Sequence, residues 1–133
     1  MKKRSRLKPL SKKRAQEKRG YVQACKEQDQ RMLDEYGYLF CVSCHCNNPD
    51  GGHSHNLPVA HYHEFEIDPE NFKLRCKVCH DALDYPDFEK IILFKDFIQL
   101  LEYRRTHNIL AYNQWISALI AIGVTNYVYE EVK

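Results

Sequence analysis

With 133 residues, the chain has room for one compact domain and an appended arm or helical tail, since domains commonly run to about 100–150 residues. Its hydrophobic share of 44% is ordinary for a globular chain, and the longest apolar run, Ala118 to Val124, is far short of the roughly 20 residues that cross a bilayer. The basic start, Met1 to Leu10, lacks a following apolar stretch of about 7–15 residues, so a secretory signal is not expected and a reducing cytoplasm is. Net charge is only +2, yet residues 1–20 hold ten Lys/Arg against one acid while residues 21–133 hold ten against seventeen. A basic arm therefore precedes an acidic body, and affinity for a polyanion has to come mainly from the arm and from local patches.

In chain order, residues 1–14 read as a flexible basic arm, with Pro9 discouraging helix at Lys8. Ser11 is an N-cap candidate for a helix over about 12–36, in which Val22, Cys25, Met32, Leu33 and Tyr36 fall near one stripe and Gly37 supplies the stop; as a unit the N-terminal helix is assigned to 15–37. Gly20 weakens its middle, and the charged stretch Lys12 to Arg19 orders against a phosphate backbone or remains a solvated tail. Tyr38 to Val42 is expected as a short strand, Asn47 to Gly52 as a turn-rich loop, and Leu57 to Ile67 as a second extended segment. Pro69, suited to a first helical turn, then opens a helix carrying Cys76, Cys79 and His80. Strand, loop, strand, helix is a ββα order. Beyond Pro86, Phe88, Ile91, Ile92, Phe94, Phe97, Ile98 and Leu101 give one apolar helical face, and Ile109 to Ile122 gives another.

The six cysteines are not expected to form disulfides in a reducing compartment, and four of them fall into the pairs Cys41-x-x-Cys44 and Cys76-x-x-Cys79. Two such pairs can set four thiolates tetrahedrally around one Zn²⁺ as a closed structural site. His45 and Cys46, beside the first pair, could replace a ligand; Cys25 reads as an ordinary buried thiol. Structural zinc contributes on the order of 10–16 kcal/mol in small peptides, so the metal is expected to be a condition of folding.

Between the pairs stand His61, Asn71 and, directly after the last cysteine, His80. Cys41-x-x-Cys44, Ala60-His61-Tyr62, Asn71-Phe72-Lys73-Leu74 and Cys76-Lys77-Val78-Cys79-His80 together resemble the zinc-containing HNH (ββα-metal) endonucleases over residues 41–80. The leader Leu7-Lys8-Pro9-Leu10-Ser11-Lys12-Lys13-Arg14-Ala15 resembles the basic leader of many phage-borne HNH proteins, and Cys41-Val42-Ser43-Cys44 with Ala60-His61-Tyr62 resembles the phage NinG/Rap recombination nucleases. A phage origin would make the compartment the host cytoplasm.

The resemblance implies an α+β fold: a small zinc-knuckled ββα module at 38–85, flanked by the N-terminal helix and a C-terminal helical extension at 86–133. It implies metal-dependent hydrolysis of DNA, duplex or branched, with His61 as general base, Asn71 holding the His61 ring and the strand-to-helix loop, and His80 ligating Mg²⁺ or Mn²⁺. These roles suit the chemistry, because phosphodiester hydrolysis needs an activated water, an oriented base and a cation at the scissile phosphate. The family carries a metal-ligating acid or histidine just before the base, where this chain has Ala60. His63, His55 and Asp50 are the candidates for that second ligand, with His63 foremost. Lys2, Lys3, Arg4, Arg6, Lys8, Lys12, Lys13 and Arg14 are expected to contact the nucleic-acid backbone. Tyr103, Arg104 and Arg105 end a helix in cationic character that either the helix dipole or DNA contact explains. The competing expectation is a zinc-stabilised module that binds nucleic acid without cutting it. A single module would nick; double-strand cleavage would need a homodimer or two events.

Overall fold

The computed structural model describes residues 11–132, so Lys2, Lys3, Arg4, Arg6 and Lys8 lie outside the described residues. Among the described residues the fold is α+β: five α-helices and a two-stranded antiparallel sheet. Among the described residues no helix is long and apolar enough to cross a membrane.

Helix α1 runs from Lys12 to Tyr36, unbroken at Gly20. The Ser11 hydroxyl accepts from the Arg14 N–H, and Gly37, at φ 83°, closes the helix by donating to the Leu33 carbonyl. These are the N-cap and left-handed C-cap that free helix ends require. The inward stripe differs from the expected one. Val22, Leu33 and Tyr36 are exposed, and the chain is held through half-buried Arg14, Tyr21, Gln28, Asp29 and Met32. Gln28 donates to the carbonyls of Pro69 and Phe72, Asp29 meets His53, and Tyr21 packs edge-on against Phe72. Polar anchors, which a hydrophobic pattern does not register, thus dock this helix on the sheet.

The strands are β1, Gly52–His55, and β2, Phe72–Arg75, in register Gly52↔Arg75 to His55↔Phe72. The expected strand Tyr38–Val42 makes one such bond, Val42 N–H to Leu74 carbonyl, before Cys41 N–H turns back to the Cys46 carbonyl. The expected extended segment Leu57–Ile67 is turns and a short 3₁₀ helix, because the Pro58 carbonyl accepts from both His61 and Tyr62 N–H groups. Nor does a helix begin at Pro69. The Asp68 side chain accepts from Glu70 N–H and its carbonyl from Asn71 N–H, an Asx-type turn that delivers the chain into β2. Helix α2, Lys77–Asp84, follows at once, so the ββα order holds with both strands displaced from their expected places.

Gly51 sits where the loop crosses Cys76; a Cβ there would lie 2.8 Å from the Cys76 carbonyl carbon and oxygen, so only glycine fits without a backbone shift. After α2 come α3 (Phe88–Ile91), α4 (Phe97–His107) and α5 (Ile109–Ala121), with Asn108 between the last two capping α5 at the Ala111 N–H. The C-terminal stretch returns along α5, where Tyr112 Oη donates to the Val128 carbonyl and Asn113 bonds Glu130 through both its amide groups. One apolar cluster runs through Leu83, Ile91, Phe97, Leu101, Trp115 and Leu119, and it includes Cys41, Cys76 and Cys79. The cysteine knuckles are therefore part of the helical core.

Candidate functional site

Cys41 and Cys44 lie in a turn ahead of β1; Cys76 and Cys79 occupy the junction of β2 with α2 and the first turn of that helix. Their four sulfurs all lie within 4.8 Å of one another, and Cys44 Sγ is 3.7 Å from Cys76 Sγ. A tetrahedron with Zn–S near 2.3 Å has sulfur separations of about 3.8 Å, so the donor set fits a structural zinc ion in both chemistry and spacing. Burial pushes the Cys44 and Cys79 thiols up. At Cys41 burial acts the same way but is outweighed by backbone N–H groups of Cys76, Cys44 and Ser43, which lower it. His45 and Cys46 stand outside the cluster. His45 takes a left-handed φ of 64° and donates its N–H to the Cys41 carbonyl, and Cys46 Sγ donates to the Asn48 carbonyl.

Behind the knuckle sits an anchor that sequence reasoning missed. Arg75, with no exposed surface, donates to Ser43 Oγ, Ser54 Oγ, the Ser54 carbonyl and, at 2.6 Å, Asp96. Ser43 Oγ donates to the other Asp96 oxygen, and Lys95 N–H donates to the Ser43 carbonyl. Knuckle, both strands and the entry to α4 are tied at one guanidinium.

Asn71 is buried, and its side chain bonds within the loop between β1 and β2 rather than to His61 or to a strand-to-helix loop. Its oxygen accepts from Leu57 N–H, and its amide donates to the carbonyls of Leu57 and Phe65. All three bonds close the 57–71 loop; the expected bond to the His61 ring is replaced by them. Asp50 is likewise committed, accepting from the Lys77 N–H at the start of α2.

The four candidate histidines stand in four different settings. His61 is exposed in the turn after Pro58 and lines a cavity with Asp84 and Arg104. His63 lies between Glu17 (3.2 Å) and Glu66 (3.5 Å), and these three could hold an ion, though Arg14 is already 2.7 Å from Glu66. This grouping places His63 with Glu17 of α1 and Glu66 of its own turn, whereas His80 is paired with Asp84, one turn on along α2, at 3.1 Å. His55, at the end of β1, is half-buried. Its ring lies 5.3 Å from Tyr21 and 5.7 Å from Phe72, and its Nε2 donates to the Glu66 carbonyl at 3.0 Å. Since a carbonyl only accepts, that bond places the proton on Nε2 and leaves the Nδ1 lone pair free. Burial pushes the His55 imidazole below its ordinary value, against the opposing pull of the Glu66 carbonyl and the Glu66 and Asp84 charges.

Of the arm residues within the described region, Lys12 and Lys13 are exposed on the first turn of α1. Arg14 is instead held by Glu66, which raises it further, so it ties α1 to the 63–66 turn rather than standing ready for phosphate. Arg104, read from sequence as a cationic helix end, points inward and is 6% exposed. Asp84 was missed in the sequence, although its i, i+4 spacing from His80 marks a shared helix face; Arg75 and Asp96 carried no such signal. No family model matches the chain, and neither the curated proteins nor the solved structures include a match to it.

Proposed function

We propose that the protein is a metal-dependent endonuclease of the HNH type, hydrolysing phosphodiester bonds in DNA. One observation supports this reading above the others. A β-hairpin and helix held beside a four-cysteine cluster present an oriented imidazole at a strand end, His55, and an imidazole–carboxylate pair on the helix, His80 and Asp84. Asp84 pairs with His80 and lines the same cavity as His61.

In this reading His55 is the general base in place of His61. It is fixed by a backbone carbonyl and by packing, and burial favours the neutral form that takes a proton from water. His61, by contrast, stands in an exposed turn six residues beyond β1. His80 and Asp84 would hold the divalent ion, Mg²⁺ or Mn²⁺; bound there, it would supply charge stabilisation at the phosphate. Asp84 thereby answers the missing acid before His61. Asn71 acts by holding the loop that carries the Leu57 backbone away from His55.

Single-turnover nicking of a plasmid or branched duplex with Mn²⁺, Mg²⁺ or EDTA tests this. His55→Ala should reduce the rate by about 10²–10⁴-fold, while His61→Ala should leave most of it. Asp84→Asn should weaken the apparent affinity for the divalent ion. An inactive parent with every metal and substrate would leave a zinc-stabilised nucleic-acid-binding module, and a silent His55→Ala would return the base to His61.

A further inference from the structure

The cavity beside α2 is lined by a buried cation that, among the described residues, no carboxylate pairs directly. It has a volume of about 610 Å³ and opens between the 58–62 turn, the end of α2 and the α4–α5 pair, with His61, Tyr62, Asp84, Arg104, Gln114 and Trp115 among its lining residues. Arg104, on α4, is more than nine-tenths buried, and among the described residues no carboxylate forms an ion pair with it. Asn56 takes its Nε through the side-chain oxygen and one Nη2 hydrogen through the carbonyl, and Ala111 takes an Nη1 hydrogen at 3.3 Å. A guanidinium has five N–H groups, so one hydrogen on each Nη remains. The face of the group is covered by Trp115, whose ring centroid is 4.1 Å from Cζ.

A buried cation without an acid is costly to keep, and a methionine or leucine would fill the same space in an apolar core without that cost. Arginine instead places a planar guanidinium with two uncommitted N–H groups in the lining of a solvent-reaching cavity, and a guanidinium is the donor group that suits a phosphate. We propose that this cavity is a phosphate-binding subsite, with Arg104 donating to a phosphoryl group of a nucleic-acid strand and Trp115 fixing the plane of the guanidinium. The identity of the strand rests on the endonuclease reading; the anion site itself does not. The groups facing the cavity agree with this. Asp84 is the acid there and is engaged by His80, while the His61 imidazole and the Gln114 amide add N–H donors to the lining. Burial lowers the Arg104 pKa to about 10, which leaves it cationic at neutral pH.

The chain carries its own reporter, because Trp115 is its single tryptophan. Titrating the full zinc-loaded protein with thymidine 3′,5′-bisphosphate, without added Mg²⁺ or Mn²⁺, should change Trp115 fluorescence saturably, and thymidine should not. Arg104→Lys and Arg104→Gln should weaken that binding by about 10-fold or more, the usual consequence of losing a charge-assisted hydrogen bond. Because Arg104 also holds Asn56, these variants could fail to fold, and Gln114→Glu settles the matter in that event. Gln114 is exposed on α5, so the substitution spares the core while placing a negative charge at the cavity wall, and it should also weaken the bisphosphate. A flat titration, or affinity unchanged in Gln114→Glu and in any folded Arg104 variant, overturns the proposal; inorganic phosphate binding as tightly as the bisphosphate keeps the anion site and overturns its assignment to a nucleic-acid strand. Cleavage is assayed separately with Mn²⁺. A protein that binds the bisphosphate and cuts nothing keeps the anion site and loses the endonuclease, whereas one that cuts with no fluorescence response does the reverse.

Discussion

His55 titrates in a setting where desolvation outweighs two nearby acids, and the sign of the result can be worked through. Its pKa in the fold lies below the ordinary 6.5, so between the two values the unfolded chain binds more protons than the folded one. The contribution of His55 to stability is therefore complete above pH 6.5 and is lost as pH falls through its folded value. His53, the Glu66 carbonyl and carboxylate, and Asp84 are the charged and polar groups that bear on it, with His53 adding to the depression. If His55 is the base, the acid limb of kcat/KM, which reports the free enzyme, should have its midpoint below 6.5. A midpoint at or above that value, unchanged in His53→Ala, would remove His55 from the role.

At the scale of elements, four pieces are fastened together by polar groups as well as by apolar packing. The turn bearing Cys41 and Cys44, the strands β1 and β2, and the entry to α4 converge on Arg75 and Asp96. Asp96 retains 16% side-chain exposure, whereas Arg75 has none, so removing the acid strands a fully buried cation. Asp96→Ala should accordingly cost about 3–5 kcal/mol, and Asp96→Asn, which keeps one acceptor for Arg75, should cost less. Thermal melts of the two variants at fixed zinc decide it; equal melting temperatures with the parent would show the network to be dispensable. The same network explains what the sequence displayed and what it hid. Helix α1 was legible in its span because Ser11 and Gly37 are local caps, yet its docking face was not, since Tyr21, Gln28 and Asp29 act through partners 24 to 51 positions away along the chain. The strands were misplaced for a related reason: Pro58 and Asp68 bend the segment between them through side-chain and carbonyl bonds that alternation of apolar residues does not encode. The cysteine cluster was legible because Cys-x-x-Cys is itself a local geometry.

For the molecule as a whole, the cysteines and the helical core form one unit, so metal and fold should be lost together. Stripping zinc with a strong chelator should abolish the cooperative melt of α4 and α5 as well as the knuckles, and Cys76→Ser should do the same; retained helicity with no bound zinc would contradict this. The charge distribution supplies the last test. Residues 1–10 hold five Lys/Arg, and each phosphate they neutralise contributes roughly 0.9 to the slope of log affinity against log salt. The sequence suggested 1–14 as the arm, but Ser11 caps α1 and Arg14 bonds Glu66, so a cut at 14 would remove a cap and a tertiary anchor together with the charge. A truncation ending at residue 10 separates the two effects. It should leave the melting temperature unchanged and flatten the salt dependence of duplex binding by up to about 4.5 in slope, read by fluorescence anisotropy between low and moderate salt. A truncation ending at residue 14 should flatten the slope further and also lower the melting temperature, because α1 then lies on the sheet without its N-terminal anchors. If the shorter truncation leaves the slope intact, the ten leading residues contribute nothing to the polyanion contact, and the affinity has to reside in the rest of the chain, with exposed Lys12, Lys13, Lys18 and Arg19 on α1 and the Arg104 cavity as the places to look.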